Sequence, residues 1–254
     1  MPEHKKECKK RAAELKDEIL FKQPENNHYG DCPICCLPIP INPEKSCFYT
    51  CCTKYVCKGC SHANIKREIE GRLEQKCPFC RNAAPKTDEE CNERLMKRIE
   101  VNDPVAMIQI GMKKYKEGDY RSAFEYSRKA ADLGDVMSHY QVSCLYRTGQ
   151  GVEKDEKKAL HHLTEAAIGG HPDARYNLAL MEGRMDRVDR AVKHFIIAAK
   201  LGHDDSLTYV KNAYKAGYAS KEDFNAALRG YQAAIEATKS HQREEASRFM
   251  MRTP

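Results

Sequence analysis

Ten of the thirteen cysteines fall between Cys32 and Cys80. Three pairs there have the form Cys-x-x-Cys: Cys32/Cys35, Cys57/Cys60 and Cys77/Cys80. A further group, Cys47, Cys51 and Cys52, lies between the first and second pairs. Thiolates are soft ligands, and four of them in a tetrahedron suit zinc. A Cys-x-x-Cys turn aims two sulfurs at one ion and keeps backbone amides close enough to donate to them, so each ion needs two such pairs. Two arrangements are possible. In a ribbon, successive pairs share an ion; in a cross-brace, pairs one and three share one ion while pairs two and four share another.

A disulfide framework is the competing use of so many thiols, and it belongs to oxidising compartments. The stretch from Met1 to Lys10 is polar and lacks the form of a secretory signal. No apolar run approaches the ~20 residues that cross a bilayer. The expectation is a soluble protein of the cytoplasm or nucleus, with reduced thiols and no membrane partner. Net charge is +6 from 43 Lys and Arg against 37 Asp and Glu, interspersed along the chain. The basic cluster Lys5, Lys6, Lys9, Lys10 and Arg11 reads as a solvated helix face. No basic stripe with interleaved aromatics is present, which argues against nucleic acid as a partner.

The cysteines must be positioned by the elements around them. Residues 1–28 read as a helix and a polar linker, with Cys8, Ala12, Leu15 and Ile19 at helical spacing as a packing stripe and Pro24 closing the pattern. Residues 29–85 form the cysteine module, a size at which metal usually supplements apolar burial. Prolines 38, 40 and 43 impose an extended loop after the first pair. Phe48-Tyr49 and Tyr55-Val56 suggest short strands. One helix lies between Cys60 and Cys77, with Ile65, Ile69 and Leu73 as its apolar stripe; Gly71 inside it costs about 1 kcal/mol against alanine. Residues 86–102 read as a connector helix. Thr87 to Glu90 has the capping-box form, and Cys91, Leu95 and Ile99 supply a stripe. Asp103-Pro104 then marks a new helix, with aspartate at the cap and proline at the first position.

From Asp103 the chain repeats itself. Ala130-Ala131, Ala166-Ala167, Ala198-Ala199 and, more faintly, Ala233-Ala234 recur at intervals of 36, 32 and 35 residues, and Ala123, Ala159, Ala191 and Ala226 stand seven residues before each pair. Each unit is two antiparallel helices joined by a turn, with small alanines allowing close approach and a glycine ending the second helix. Such units bury their apolar faces only by stacking. Residues 103–240 therefore read as an all-α solenoid of about four units, the last degenerate and opened by the box Ser220 to Asp223; residues 241–254 read as a disordered tail. The histidines His161, His162, His171, His194 and His203 lack ligand spacing and read as solvated or capping side chains. Cys144 reads as a small core residue, and the repeat tyrosines as core and groove residues.

These units resemble the Sel-one-like repeat, a relative of the tetratricopeptide repeat. The second unit matches best, through Gly149-x-Gly151-Val152-x-x-Asp155-x-x-Lys158-Ala159 and Ala166-Ala167-x-x-Gly170. The first and third units replace its long loop with the shorter turns at Gly118-Asp119 and Glu182-Gly183. The cysteine module, over residues 29–85, resembles the RING domain, whose cross-brace order it follows. Cys-Pro-Ile-Cys at Cys32 to Cys35 and Cys-Pro-Phe-Cys-Arg at Cys77 to Arg81 carry that resemblance. The fold class implied is a small zinc-stapled α+β module followed by an all-α helical-repeat solenoid.

The resemblance implies two zinc ions. The first would be held by Cys32, Cys35, Cys57 and Cys60. A RING usually has Cys-x-His before its third pair; here Cys52 takes the cysteine position and Lys54 stands where histidine belongs, and a protonated lysine cannot ligate zinc. Cys51 and Cys52 together, with Cys77 and Cys80, are the preferred second set; Cys47 or His62 is the alternative, as is a chain holding only the first ion. RING domains that are ubiquitin ligases act by orientation, holding a charged ubiquitin-conjugating enzyme in a reactive pose. By resemblance, Ile34 and Pro78 would form the groove for that enzyme, and Arg81 would bridge enzyme and ubiquitin. A protein substrate or adaptor would sit on the concave face of the repeats. The alternative is a non-catalytic interaction scaffold with a structural zinc module.

Overall fold

In the computed structural model, residues 11, 12 and 14–250 are described. The basic residues Lys5, Lys6, Lys9 and Lys10, Cys8 and the end of the tail at residues 251–254 lie outside the described residues. A first helix, α1, covers residues 11, 12 and 14–20. An irregular run leads from it into the cysteine module. There strand β1 (Ser46–Tyr49) pairs antiparallel with β2 (Lys54–Cys57), with Cys47 opposite Val56 and Phe48 opposite Tyr55. Helix α2 (Lys58–Glu70) follows directly from β2.

The remaining elements are helices: α3 (Asp88–Glu100), α4 (Pro104–Lys116), α5 (Tyr120–Asp132), α6 (Val136–Thr148), α7 (Glu156–Ile168), α8 (Pro172–Arg184), α9 (Val188–Lys200), α10 (Asp204–Lys215), α11 (Lys221–Ala237) and α12 (His241–Met250). Several of their starts follow from local capping. Thr87 accepts from the Glu90 amide at 3.2 Å, and Asp103 accepts from the Val105 and Ala106 amides, with Pro104 at the first position of α4. Ser220 and Asp223 form a reciprocal box at α11.

Helices α4/α5, α6/α7 and α8/α9 pack as pairs, and neighbouring pairs stack. The alanine pairs Ala130-Ala131, Ala166-Ala167 and Ala198-Ala199 are fully or nearly fully buried where the helices meet. Gly134, Gly170 and Gly202 follow them at φ of 85, 86 and 94°, a left-handed geometry that glycine adopts without a Cβ clash. In the last unit the register slips by one: Ala227 is buried rather than Ala226, and Ala233 is exposed. No further helix pair covers α11 among the described residues, so that face needs no close-packed alanines.

Three sequence expectations are corrected. In α1, Leu15 and Ile19 are exposed, while Leu20 is buried and Phe21 packs beside it. The helix docks through its C-terminal end, onto Leu163, Ala166, Ala174 and Leu178. In α2, Ile65, Ile69 and Leu73 are 40, 66 and 55 % exposed, because the face turned to the module carries Ser61 and Glu68. That helix ends at Glu70, so Gly71 is its C-terminal cap and Leu73 lies beyond it. The tail is not disordered over residues 241–250: it forms α12, which packs against α2 with Ala246 buried.

Residues 17–28 run along the repeats. The buried Arg175 donates to the carbonyl of Leu20 and, at 3.5 Å, to that of Lys22. Asp17 pairs with Arg190, whose guanidinium lies 4.8 Å from the Phe21 ring centre. His28 stacks on His171 at 4.3 Å, and its amide donates to Gly170 O. Part of the repeat surface is therefore covered by the chain's own N-terminal segment. No helix among the described residues is long and apolar enough to cross a membrane.

Candidate metal centre

Two of the cysteine pairs close into the same knuckle. At the first, the Cys36 amide donates to Cys32 O at 2.9 Å and the Cys32 amide to Leu37 O at 2.9 Å. At the last, the Arg81 amide donates to Cys77 O at 3.0 Å and the Cys77 amide to Asn82 O at 2.8 Å. The residue after each second cysteine, Cys36 or Arg81, takes a left-handed φ of 54 or 64°. The Cys57/Cys60 pair is built differently. Cys57 caps α2, and its sulfur accepts from the Cys60 amide at 3.4 Å.

These elements bring eight sulfurs into two groups. Cys32, Cys35, Cys57 and Cys60 form one, and Cys51, Cys52, Cys77 and Cys80 the other, each with its ligand atoms within 4.8 Å of one another. The pairing is interleaved along the chain. Cys47 stands opposite Val56 in the sheet and His62 packs at 4.9 Å against Phe249, so neither belongs to the second group.

The spacing fits a tetrahedral thiolate site. Four sulfurs about 2.3 Å from one zinc ion lie about 3.8 Å apart. Cys35 to Cys57 and Cys52 to Cys77 are each 3.8 Å, and Cys51 to Cys80 is 3.2 Å. The electrostatics also ask for a cation. In the first group, hydrogen bonding from Cys57 holds the Cys32 thiol down to about 4, while burial pushes Cys60 up to about 12. In the second, burial raises Cys51, and raises Cys52 to about 11. Burial thus disfavours the thiolate form at Cys51, Cys52 and Cys60, and a divalent ion would remove that penalty. Either group could hold zinc.

The second group is irregular because its members Cys51 and Cys52 are adjacent. The chain leaves them through Thr53, which takes a left-handed φ of 54°. That strained, buried threonine is tied down: its hydroxyl is 2.7 Å from Asp103 Oδ2 and 2.7 Å from Cys52 O. Asp103 also accepts from Arg98 Nε and Nη2 at 2.8 and 2.6 Å. One carboxylate thus caps α4, pairs with α3 and anchors the loop that carries Cys51 and Cys52. Burial works against its charge, but the bonds from Thr53 and Arg98 outweigh it and hold its carboxyl below the ordinary value. Nearby, Gln109 donates to Tyr55 Oη at 2.7 Å, and Phe48 packs on Leu95, Ala106 and Ile110. The module is therefore joined to the repeats.

Of the proposed docking residues, Ile34 is exposed, Pro78 is half-buried and Phe79 beside it is exposed. Arg81 is exposed, but its guanidinium already donates to Asn64 Oδ1 at 2.9 Å and lies 3.6 Å from the buried Glu68. The repeat histidines need a correction. His171 and His194 are buried rather than solvated, and burial holds them neutral at about 4 and about 3. His203 does cap a helix, accepting from the Ser206 amide at α10. Cys144 is half-buried.

Two supporting residues had no signal as site residues in the sequence. Asp103 was legible only as a helix cap. Arg243, whose guanidinium reaches Cys35, lay in the segment read as a disordered tail.

Comparison with known proteins matches residues 105–135, 136–171 and 172–203 to the Sel1 repeat family model. Those residues are three Sel1 repeats. A solved Sel1 repeat protein from Oxalobacter formigenes has this fold, at 23% identity and a TM-score of 0.51, covering 71% of this chain and 72% of that one. DAP3-binding cell death enhancer 1 of Rattus norvegicus is 26% identical over 184 residues, 57% of this chain and 36% of its own length. The chain thus spans about a third of the length of the first curated relatives it matches. A stretch of 60 residues is 33% identical to the putative RING finger protein ORF96 of Ostreid herpesvirus 1, covering 24% of this chain and 25% of that one.

Proposed function

We propose that this chain is a zinc-binding RING-type protein that docks a ubiquitin-conjugating enzyme on its cysteine module and a protein substrate or adaptor on its repeats. The observation that carries the reading is the interleaved assembly of the two cysteine groups, with α2 starting within the second Cys-x-x-Cys pair and leading toward the third. The likeness to a putative viral RING finger protein adds to it. Two zinc ions, held by Cys32, Cys35, Cys57 and Cys60 and by Cys51, Cys52, Cys77 and Cys80, would supply structure rather than reactivity. Ile34 and Pro78 would seat the conjugating enzyme, and Arg81 would reach its ubiquitin after leaving Asn64.

For the substrate, the covered face beneath residues 17–28 is a poor candidate. A cleft of about 1100 Å³ between the module, the last repeats and α12 is a better one, with Ile41, Leu201, Tyr231, Ala234 and Ile235 among its walls. The test is a reconstituted reaction with ubiquitin, activating enzyme and a panel of conjugating enzymes. Chains should form, and Ile34→Ala should reduce the rate at least about tenfold, the loss of ~1.4 kcal/mol of docking. No chains with any partner, from protein holding two zinc ions, would leave the second reading: a scaffold whose zinc module only binds. The prior engagement of Arg81 by Asn64 and Glu68 is the observation on that side.

A further inference from the structure

Helix α12 ends the described chain, yet it lies against the first cysteine group. Arg243, in its first turn, donates through Nη2 to Cys35 Sγ at 3.4 Å. The same guanidinium donates to Leu37 O at 3.1 Å, Pro38 O at 2.7 Å and Thr238 O at 2.8 Å. Leu37 and Pro38 follow the first knuckle, and three carbonyls therefore fix the guanidinium fork with an N–H aimed at the sulfur. The backbone is matched to this contact. A Cβ on Gly59, within the Cys57 to Cys60 turn, would come within 2.8 Å of the Arg243 backbone nitrogen. Gly59 lets the helix settle directly on the second pair of the group. Further along, Lys66 pairs with Glu245 at 2.8 Å and Ala246 is buried.

We infer that α12 is a clasp on the first cysteine group and that Arg243 is a positioning residue for Cys35, governing how firmly zinc is retained there. The inference rests on the zinc reading above. Four thiolates around a divalent cation carry a net charge of −2, and a guanidinium hydrogen-bonded to one sulfur offsets part of it. The bond also occupies a sulfur lone pair that a proton or a competing ligand would otherwise attack, and the helix shields the turn from solvent. Among the described residues no guanidinium donates to a sulfur of the second group, so the clasp distinguishes the two.

The test is release of zinc from the full chain to a chromophoric chelator, starting from protein with its metal content measured. The first-group phase is identified with Cys35→Ser. Arg243→Ala should start with the same zinc content and release the first-group ion about 10–100-fold faster, leaving the second phase unchanged. Gly59→Ala, which lifts α12 without altering the guanidinium, should accelerate the same phase. Arg243→Lys, which keeps the charge but loses the fork, should fall between. Two ions released at wild-type rates from folded Arg243→Ala and Gly59→Ala overturn the inference alone. A wild-type chain carrying no zinc overturns the metal reading and the inference with it.

Discussion

The two cysteine groups have the same donor set and different supports. The first joins two Cys-x-x-Cys turns, buries Cys32, Cys57 and Cys60, and is contacted from the far end of the chain by Arg243. The second joins one such turn to the adjacent Cys51 and Cys52, with Cys77 buried and the other three sulfurs half-exposed. Its loop is held by Asp103, at the start of the repeats. An irregular cysteine pair is tolerated where a neighbouring element fixes the strained residue beside it. The regular pair is the one that receives a shielding helix. The repeats thus do more than carry the module: α4 supports one group and the segment after α11 supports the other.

The largest way to break this comparison is to remove the zinc proposed for both groups. Chelation should unfold the module, since a structural zinc contributes roughly 10–16 kcal/mol of apparent binding free energy. The repeats have their own core, so amide exchange should rise over residues 29–85 and remain slow in α6 to α9. Uniform loss of protection would show that the repeats depend on the module.

A second test leaves both groups intact. Arg175→Ala removes the buried donor to Leu20 O and Lys22 O, at a cost of about 3 kcal/mol for the uncompensated carbonyls and lost packing. Denaturant unfolding should register that loss, and exchange should increase over residues 17–28 with zinc content unchanged. Zinc loss in this variant would couple the N-terminal segment to the metal groups.

Asp103→Asn strikes the support of the second group, at a cost of about 2 kcal/mol. The pH dependence has a definite sign. Because the folded carboxyl lies below its ordinary value, its stabilisation is full above about pH 4 and is lost as the pH falls through the folded value. Wild type and Asp103→Asn should differ most at neutral pH and converge in acid. A constant difference across that range would remove the charge from the account. The smallest expected effect is from Ala233→Leu, at an exposed position on α11, which should change stability by no more than about 0.5 kcal/mol. The same substitution at the buried Ala166 should cost about 1–3 kcal/mol.

The cysteine grouping was largely legible in the sequence because metal chemistry demands short, fixed spacing. The repeats were legible because alanine pairs and following glycines recur at a period. What stayed hidden depended on contacts remote in sequence. Helical spacing placed Leu15 and Ile19 on a packing face, but Leu20 and Phe21, at the end of the helix, are what the repeats bury. Helical spacing also gives α2 an apolar stripe, yet the module is built around its polar side, where Glu68 accepts from the Lys76 amide at 3.2 Å. The polar residues of 241–250 suggested no fold of their own; their order comes from docking on Gly59 and Cys35, more than 180 residues away in sequence.

Zinc content in wild type and in Cys52→Ser tests the central claim most directly. Metal analysis of the purified full chain should give two ions per chain in the wild type and one in Cys52→Ser, with the remaining ion retained on Cys32, Cys35, Cys57 and Cys60. One ion or none in the wild type, or two surviving in Cys52→Ser, would contradict the assignment of the two groups.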